Sequence, residues 1–148
     1  MTKNQTELTY LRAEVRNASP ARLVIVLYDL LIGALTDAID AIGRNDVEER
    51  SHNLKRAFLV LEQMEASLDM ESGGEAARNL ARFYAVLRSN FIAAHAQASR
   101  AMLEQQIKLI FEVRGAWAQV DAPNSGDSSS GQPEIQTTLA HAGANWTA

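Results

Sequence analysis

Residues 17–42, NASPARLVIVLYDLLIGALTDAIDAI, decide the fold of this chain. The stretch opens with a helix-start signal, because Ser19 can accept a hydrogen bond from a first-turn amide and Pro20 suits the first helical position. Apolar residues then recur every three or four positions, so they share one helical face. These residues are Val24, Leu27, Tyr28, Leu31, Leu35, Ala38 and Ile42. The pattern predicts a helix over residues 20–42.

The predicted helix is apolar over more of its circumference than a simple bundle requires. Ile25 and Ile32 lie on one edge of the apolar face, and Leu23 and Leu30 lie on the other. At roughly 100° per residue, the apolar arc covers about 200°. A helix at the side of a small bundle needs only a stripe, so we expect either deep burial or apolar surface reserved for a partner.

Three more amphipathic segments follow, over about residues 47–70, 75–98 and 99–120. Gly43 is expected to end the first helix, and Asp46 to cap the second in a capping box with Glu49. Ser99 is expected to cap the fourth helix. Four helices of about 20 residues with short connectors predict an all-α fold, an antiparallel up-down-up-down four-helix bundle.

The sequence divides into a bundle domain over residues 17–121 and two flanking segments. Residues 1–16 are mostly polar, which predicts an N-terminal arm or a short helix. Residues 122–148 are rich in Ser, Gly, Pro and Asn and contain few large apolar residues. Such a segment cannot bury enough surface to offset its ordering entropy, so we interpret it as a disordered tail.

Composition excludes several classes of protein and site. The chain has no cysteine, which removes disulfide frameworks, thiolate zinc sites and cysteine nucleophiles. Its net charge of −4 is made of interspersed charges, so no basic face for nucleic acid stands out. The N-terminus is polar, and no apolar run approaches the roughly 18 residues of a membrane span. We therefore expect a soluble, cytoplasmic protein that neither binds nucleic acid nor inserts into a membrane.

No group of residues in the sequence is suited to catalysis. Glu49 and His52 form the Glu-x-x-His unit that di-iron bundles use twice, but the unit occurs once here. A solvated surface on the second helix is the stronger interpretation. His95 is expected to be a satisfied boundary histidine, and Glu65 to lie at a helix seam or pair with an arginine. We expect no enzyme activity, no cofactor and no metal.

The remaining signal is apolar surface that a bundle of this size does not need. It consists of Ile25 and Ile32 in the first helix and Ile107 and Phe111 in the fourth. Contiguous exposed apolar surface usually marks a partner site. Periodicity alone leaves two interpretations equally open: a partner-binding groove, or a surface covered by the N-terminal segment or by a second copy.

Four sequence motifs occur in an order and spacing that are fairly specific to one family. They are Ala18-Ser19-Pro20 with Leu27-Tyr28-Asp29, Leu68-Asp69-Met70-Glu71 with Gly73-Gly74-Glu75, Asn79-Leu80 with Phe83-Tyr84, and Arg114-Gly115-Ala116-Trp117. Through these motifs the chain resembles the FliS family, flagellin-specific export chaperones of bacterial flagellar type III secretion. The similarity runs from about Tyr10 to Val120.

The resemblance implies a cytoplasmic chaperone without catalysis. Proteins of this family bind the C-terminal segment of flagellin, which is disordered in the free monomer, and let it wrap around the bundle. This prevents premature polymerisation and keeps the client competent for export. The flagellar export gate is a second partner that the resemblance allows, and the free chain is expected to be a monomer or a weak dimer.

We assign residues to two roles on this basis. The expected partner-binding residues are Tyr10, Ile25, Ile32, Leu59, Ile107 and Phe111, and the segment around Tyr10 is a candidate cover for the groove. The expected structural residues of the family motifs are Ser19, Pro20, Leu27, Tyr28, Asp29, Gly74, Asn79, Leu80, Tyr84 and Trp117. For Leu59, a lone exposed leucine remains the stronger alternative.

Three other functions remain open from the residues themselves. A self-associating structural bundle would use the surplus apolar surface as a homodimer interface. A metal-dependent bundle enzyme would be built on Glu49 and His52. A chaperone or adaptor for another flagellar export substrate would keep the mechanism and change the client.

Overall fold

The computed structural model of the protein describes residues 5–10, 12 and 19–121. Residues 5–10 are helical, and four long helices follow: α1 (Pro20–Gly43), α2 (Val47–Ala66), α3 (Gly74–Gln97) and α4 (Arg100–Asp121). No strand occurs in these ranges, which confirms the all-α fold class. The predicted tail over 122–148 and most of the predicted arm lie outside the described residues.

The helices form a closed ring in which each helix packs against the next and α4 packs against α1. Polar contacts between α1 and α4 show that these helices are antiparallel. Along the seam, the contacting residues have rising numbers on α1 and falling numbers on α4. Asp29 meets Arg114 and Ser19 meets Asp121 between α1 and α4. The four helices therefore run up-down-up-down. None of the described helices has a stretch long and apolar enough to cross a membrane.

Side chains cap three of the four helices at their first turns. Ser19 Oγ accepts from the Arg22 amide at 3.1 Å, and Ser99 Oγ accepts from the Met102 amide at 3.2 Å. Asp46 caps α2 by accepting from the Glu49 amide at 3.1 Å. The predicted capping box is only half formed, because the Asp46 amide donates to Ala41 O at 2.9 Å and closes the end of α1.

The end of α2 differs from the prediction, since the helix stops at Ala66 rather than near residue 70. Ser67 is its C-terminal cap, and Asp69 then organises a tight turn by accepting from the amides of Glu71 and Ser72. The turn requires Gly73, where an added Cβ would lie 2.3 Å from Asp69 O. It also requires Gly74, whose φ of +59° lies in the left-handed region.

One apolar core fills the ring, and its largest members come from α1 and α3. On α3, Phe83 packs against Tyr84, and Phe91 meets Phe58 of α2 edge to face at 6.0 Å. The core also contains a polar contact between diagonal helices. The hydroxyl of Tyr28 on α1 lies 2.9 Å from the hydroxyl of Tyr84 on α3, and both side chains are almost fully buried.

Each of the four helix seams carries at least one polar pair between its two helices. The pairs are Arg56–Asp37 for α1 and α2, Arg88–Glu65 for α2 and α3, Asn90–Gln106 for α3 and α4, and Arg114–Asp29 for α4 and α1. Glu65 therefore pairs with Arg88 at a helix seam, which is one of the two arrangements expected for this residue. A one-residue slip at any seam would separate its pair, so these contacts specify helix register.

Candidate functional site

The candidate site is an apolar surface between α1 and α4, formed by Ile32, Ile107 and Phe111, which we call the α1–α4 face. The Asp29–Arg114 pair sets the register, and Ile32 and Phe111 each lie one turn away from it in the same direction. Because the helices are antiparallel, these two residues are at the same height. Ile32 and Ile107 pack partly against the core, while Phe111 is 54% exposed.

A bidentate ion pair borders the α1–α4 face. Arg114 Nε donates to Asp29 Oδ1 at 2.6 Å, and its Nη2 donates to Asp29 Oδ2 at 3.1 Å. These hydrogen bonds raise the pKa of the Arg114 guanidinium further. Both side chains remain partly solvated, so the pair contributes orientation more than stability. The sequence motifs contain both residues, but nothing in the sequence shows that they meet.

The other predicted partner-binding residues do not join this face as exposed surface. Ile25 is 1% exposed, so its assignment as surplus surface is wrong for this structure, although Ile25 lies outside the main core cluster. Leu59 is 55% exposed on α2, away from the α1–α4 seam, so we keep the alternative of a lone exposed leucine for this residue. Tyr10 is 66% exposed in the helical segment 5–10, so it is not buried as a cover over any groove.

The residues assigned to structural roles occupy caps, turns or the core. Ser19 and Pro20 start α1, Gly74 starts α3, and Asp29 holds Arg114. Tyr28, Leu80 and Tyr84 are buried in the core, and Leu27 and Trp117 are partly buried against it. Asn79 is half-buried on α3. None of the ten positions is an exposed large apolar residue.

The tyrosine pair in the core is strongly biased toward its neutral form. Burial raises the pKa of Tyr84 to about 12. Burial, together with the proximity of Tyr84, raises the pKa of Tyr28 well above its usual value, and an interaction with Trp117 opposes this rise. The Trp117 indole nitrogen is itself buried and makes no hydrogen bond of standard geometry within the described residues. The pair is a structural contact with no exposed reactive group.

The candidate enzyme residues lie in a polar pocket between α1 and α2 of about 260 Å³. Glu49 and His52 are both exposed there, and Arg44 and Arg56 line the same pocket. Asp37, Asp40 and Asn53 also line it, and no group of three or more side chains that could hold a metal ion occurs in the described ranges. His95 is not satisfied as expected, because its Nδ1 is buried without a hydrogen-bond partner among the described residues.

Sequence reasoning missed several exposed apolar side chains and two buried polar ones. Val47, Met70 and Ile92 are more than half exposed, although the periodicity of the second helix predicts that Val47 faces inward. Asn53 and Gln106 are buried and hydrogen-bonded to Arg56 and Asn90. Their positions on the helical faces could have identified the two buried residues, because Asn53 falls at the edge of the inward stripe of α2 and Gln106 falls near the centre of that of α4.

Comparison with known proteins identifies the family of this chain. The family described as "Flagellar protein FliS" matches residues 2–124 of the chain. Flagellar secretion chaperone FliSB of Pseudomonas aeruginosa is 27% identical over 113 residues, which cover 76% of this chain and 90% of that protein. Flagellar secretion chaperone FliS of Salmonella typhimurium is 28% identical over 116 residues, covering 78% and 86%. Because the family match spans most of its length, the chain belongs to the FliS family of flagellar proteins.

Proposed function

We propose that this protein is a cytoplasmic flagellar export chaperone that binds the C-terminal segment of flagellin and prevents its premature polymerisation. Family membership and the names of its relatives, flagellar secretion chaperones, support the chaperone role. The proposed activity is binding alone, with no catalytic step and no cofactor.

The observation that carries the proposal is the exposure of Phe111 beside Ile32 and Ile107 on a bundle whose core is already closed. Nineteen buried apolar residues fill the interior without Phe111. The exposed aromatic ring of Phe111 is therefore available to a partner without unfolding of the chaperone. A disordered apolar segment can fold against such a face, and the buried area then offsets its loss of conformational entropy.

In the proposed mechanism, the α1–α4 face competes with filament assembly for the apolar side chains of the client. A client segment that builds a filament through apolar helix packing would bury the same side chains on the α1–α4 face. While it is bound, those side chains are unavailable for self-assembly. The binding is non-covalent and involves a face rather than a deep cavity, so the client can be released at the export apparatus.

The first test is co-purification of this chain with its host's flagellin, full length and lacking roughly the last 40 residues, a length able to bury the large area typical of coupled folding. We expect a 1:1 complex with full-length flagellin and none with the truncated form. No complex with either form, from well-folded protein, would remove flagellin as the client and favour another flagellar export substrate.

The second test uses two substitutions matched in exposure. Phe111→Asp changes a side chain that is 54% exposed on the α1–α4 face, and Leu59→Asp changes one that is 55% exposed on α2. Both variants should retain helical content and melting temperature, because neither residue belongs to the core. We expect only Phe111→Asp to abolish the complex. Equal loss in both variants, or loss in neither, would refute the assignment of the face.

Ile32→Asp is a less suitable probe than Phe111→Asp, because Ile32 also packs against the core. Sedimentation of the chain without client tests the alternative function. A stable dimer that Phe111→Asp dissociates would assign the face to self-association, whereas a monomer leaves it free for a client.

A further inference from the structure

We propose that the polar pocket between α1 and α2 binds a small zwitterion, and that a free α-amino acid is the class of ligand it takes. The pocket lies on the α1–α2 seam, away from the α1–α4 face, so its ligand is independent of the proposed client. Three features of the pocket carry the proposal: a hydrogen-bond donor without a partner at its floor, the pattern of charges on its walls, and its volume.

A buried asparagine forms the floor of the pocket. Asn53 is 5% exposed, whereas the other six residues that line the pocket are exposed. Its Oδ1 accepts a hydrogen bond from Arg56 Nη1 at 2.9 Å, and its Nδ2 makes no hydrogen bond with any residue that the structure describes. Buried polar side chains are nearly always hydrogen-bonded, so a molecule in the pocket must supply an acceptor for this amide group.

The ion pair of the α1–α2 seam sets the levels of the groups on the two walls. Asp37 meets Arg56 at 3.4 Å between these antiparallel helices. Asp40 lies three residues after Asp37 on α1, and Asn53 lies three residues before Arg56 on α2. About one helical turn from the ion pair, a carboxylate on one wall is therefore opposite an amide donor on the other. The two groups make no hydrogen bond with each other, so a ligand can enter between them.

The charges are reversed at the next level of the pocket. Arg44 on α1 and Glu49 on α2 each lie seven residues from the ion pair, which is about two helical turns. Neither side chain forms an ion pair within 4.0 Å in the part of the chain that the structure describes. The acceptors Asp40 and Glu49 therefore occupy one diagonal of the pocket. The donors Arg44 and Asn53 occupy the other diagonal.

This charge pattern favours a ligand that carries both charges. A simple anion would meet the three carboxylates of the lining, and a simple cation would meet its two arginines. A zwitterion instead places its carboxylate between the two donors and its ammonium group between the two acceptors. Each of these contacts is a charge-assisted hydrogen bond, the stronger kind. An α-amino acid has both groups on one carbon atom and therefore fits the crossed diagonals.

The volume of the pocket limits the size of the ligand. The pocket encloses about 260 Å³. This is the volume of about nine water molecules at roughly 30 Å³ each, which suits an amino acid such as glutamine with about ten non-hydrogen atoms. The walls are exposed, so we expect weak binding. At the ligand efficiency of drug-sized molecules, about ten atoms give a dissociation constant of about 5 mM.

The test is a titration of the full chain with L-glutamine, read from the NMR signals of asparagine side-chain amides. Asn53 reports on the pocket, and Asn90 is the reference, because its Nδ2 donates to Gln106 Oε1 at 3.0 Å on another seam. We expect a saturable shift of the Asn53 signals with a dissociation constant of about 5 mM, and no saturable shift at Asn90. Propionate and propylamine carry one charge each, so each should bind at least about ten-fold more weakly.

Two exposed arginines provide a matched pair of variants. Arg44→Gln removes a donor from the pocket, and Arg82→Gln changes an arginine on α3 that does not line it. Neither side chain belongs to the core, so both variants should fold. We expect only Arg44→Gln to weaken the binding of L-glutamine, by about ten-fold, because it removes one charge-assisted contact.

Several results would overturn the proposal. A shift that rises linearly with concentration, or that is equal at Asn53 and Asn90, would be a solvent effect and would leave water as the acceptor for Asn53. Propionate that binds as tightly as L-glutamine would make the pocket an anion site. Unchanged affinity in Arg44→Gln would remove the charge pattern as the basis of recognition. None of these results involves flagellin or the α1–α4 face, so they are separate from the outcome of the co-purification test.

Discussion

The buried tyrosine pair allows a quantitative test of how the bundle core is specified. Tyr28 is 0% exposed and Tyr84 is 2% exposed, and their hydroxyl groups lie 2.9 Å apart. Tyr84→Phe leaves the Tyr28 hydroxyl buried without its partner, and Tyr28→Phe does the same to Tyr84. A buried polar group that loses its partner costs about 1–3 kcal/mol.

The double variant removes both hydroxyl groups and leaves no unpaired one. Its cost is therefore the net value of one hydrogen bond, about 1 kcal/mol, and not the sum of the two single costs. We expect the double variant Tyr28→Phe/Tyr84→Phe to lose less stability than the sum of the two single losses, by about 1–3 kcal/mol.

The assay is urea unfolding followed by circular dichroism at neutral pH. With a slope of about 2 kcal/mol per M, a single substitution costing about 2 kcal/mol lowers the midpoint by about 1 M. The double variant should have a midpoint at or above those of the single variants. Strict additivity of the two losses would refute the reasoning, because it would mean that the hydroxyl groups do not depend on each other in the folded protein.

Two other predictions follow from particular residues. Because the pKa of Tyr84 is raised to about 12 in the folded chain, the unfolded chain loses tyrosine protons first, and stability should fall as pH rises above about 10, by up to about 1.4 kcal/mol per pH unit for each tyrosine of the pair. Melting temperatures between pH 8 and about 11 test this, and the double phenylalanine variant should show a flatter curve. Gly73→Ala should destabilise the protein by about 1–3 kcal/mol, because the added Cβ would lie 2.3 Å from a backbone oxygen. Gly33→Ala should stabilise it by about 0.5–1 kcal/mol, because the added Cβ would meet no atom within 4 Å and alanine is the better helix residue. Equal melting temperatures for the two variants would contradict both predictions.

Helix number, order and most boundaries were predictable from the sequence because caps and periodicity are local signals. Ser19, Asp46 and Ser99 were identified by residue type and each forms its expected first-turn hydrogen bond. The end of α2 was not, because apolar residues continue through Leu68 and Met70 although the backbone has already turned. Leu68 packs against the core although it lies after the end of α2, so the apolar pattern extends beyond the C-terminus of the helix.

The candidate site was only partly predictable, because periodicity gives the direction of a side chain and not what covers it. Ile25 and Ile32 are seven residues apart and share one helical edge, yet Ile25 is fully buried and Ile32 is half-buried. The polar pairs at the helix seams could not be predicted from the sequence either. Asp29 and Arg114 are 85 residues apart, and only the antiparallel register of α1 and α4 brings them together.

Neighbouring residues on α4 lie on opposite sides of the boundary between the core and the proposed binding face. Ile110 and Val113 are buried in the core, while Phe111 between them is exposed on the α1–α4 face. The proposed client-binding face can therefore be altered at Phe111 at little cost in folding. The same exposure is a liability, because a bare apolar face on a free chaperone favours non-specific association.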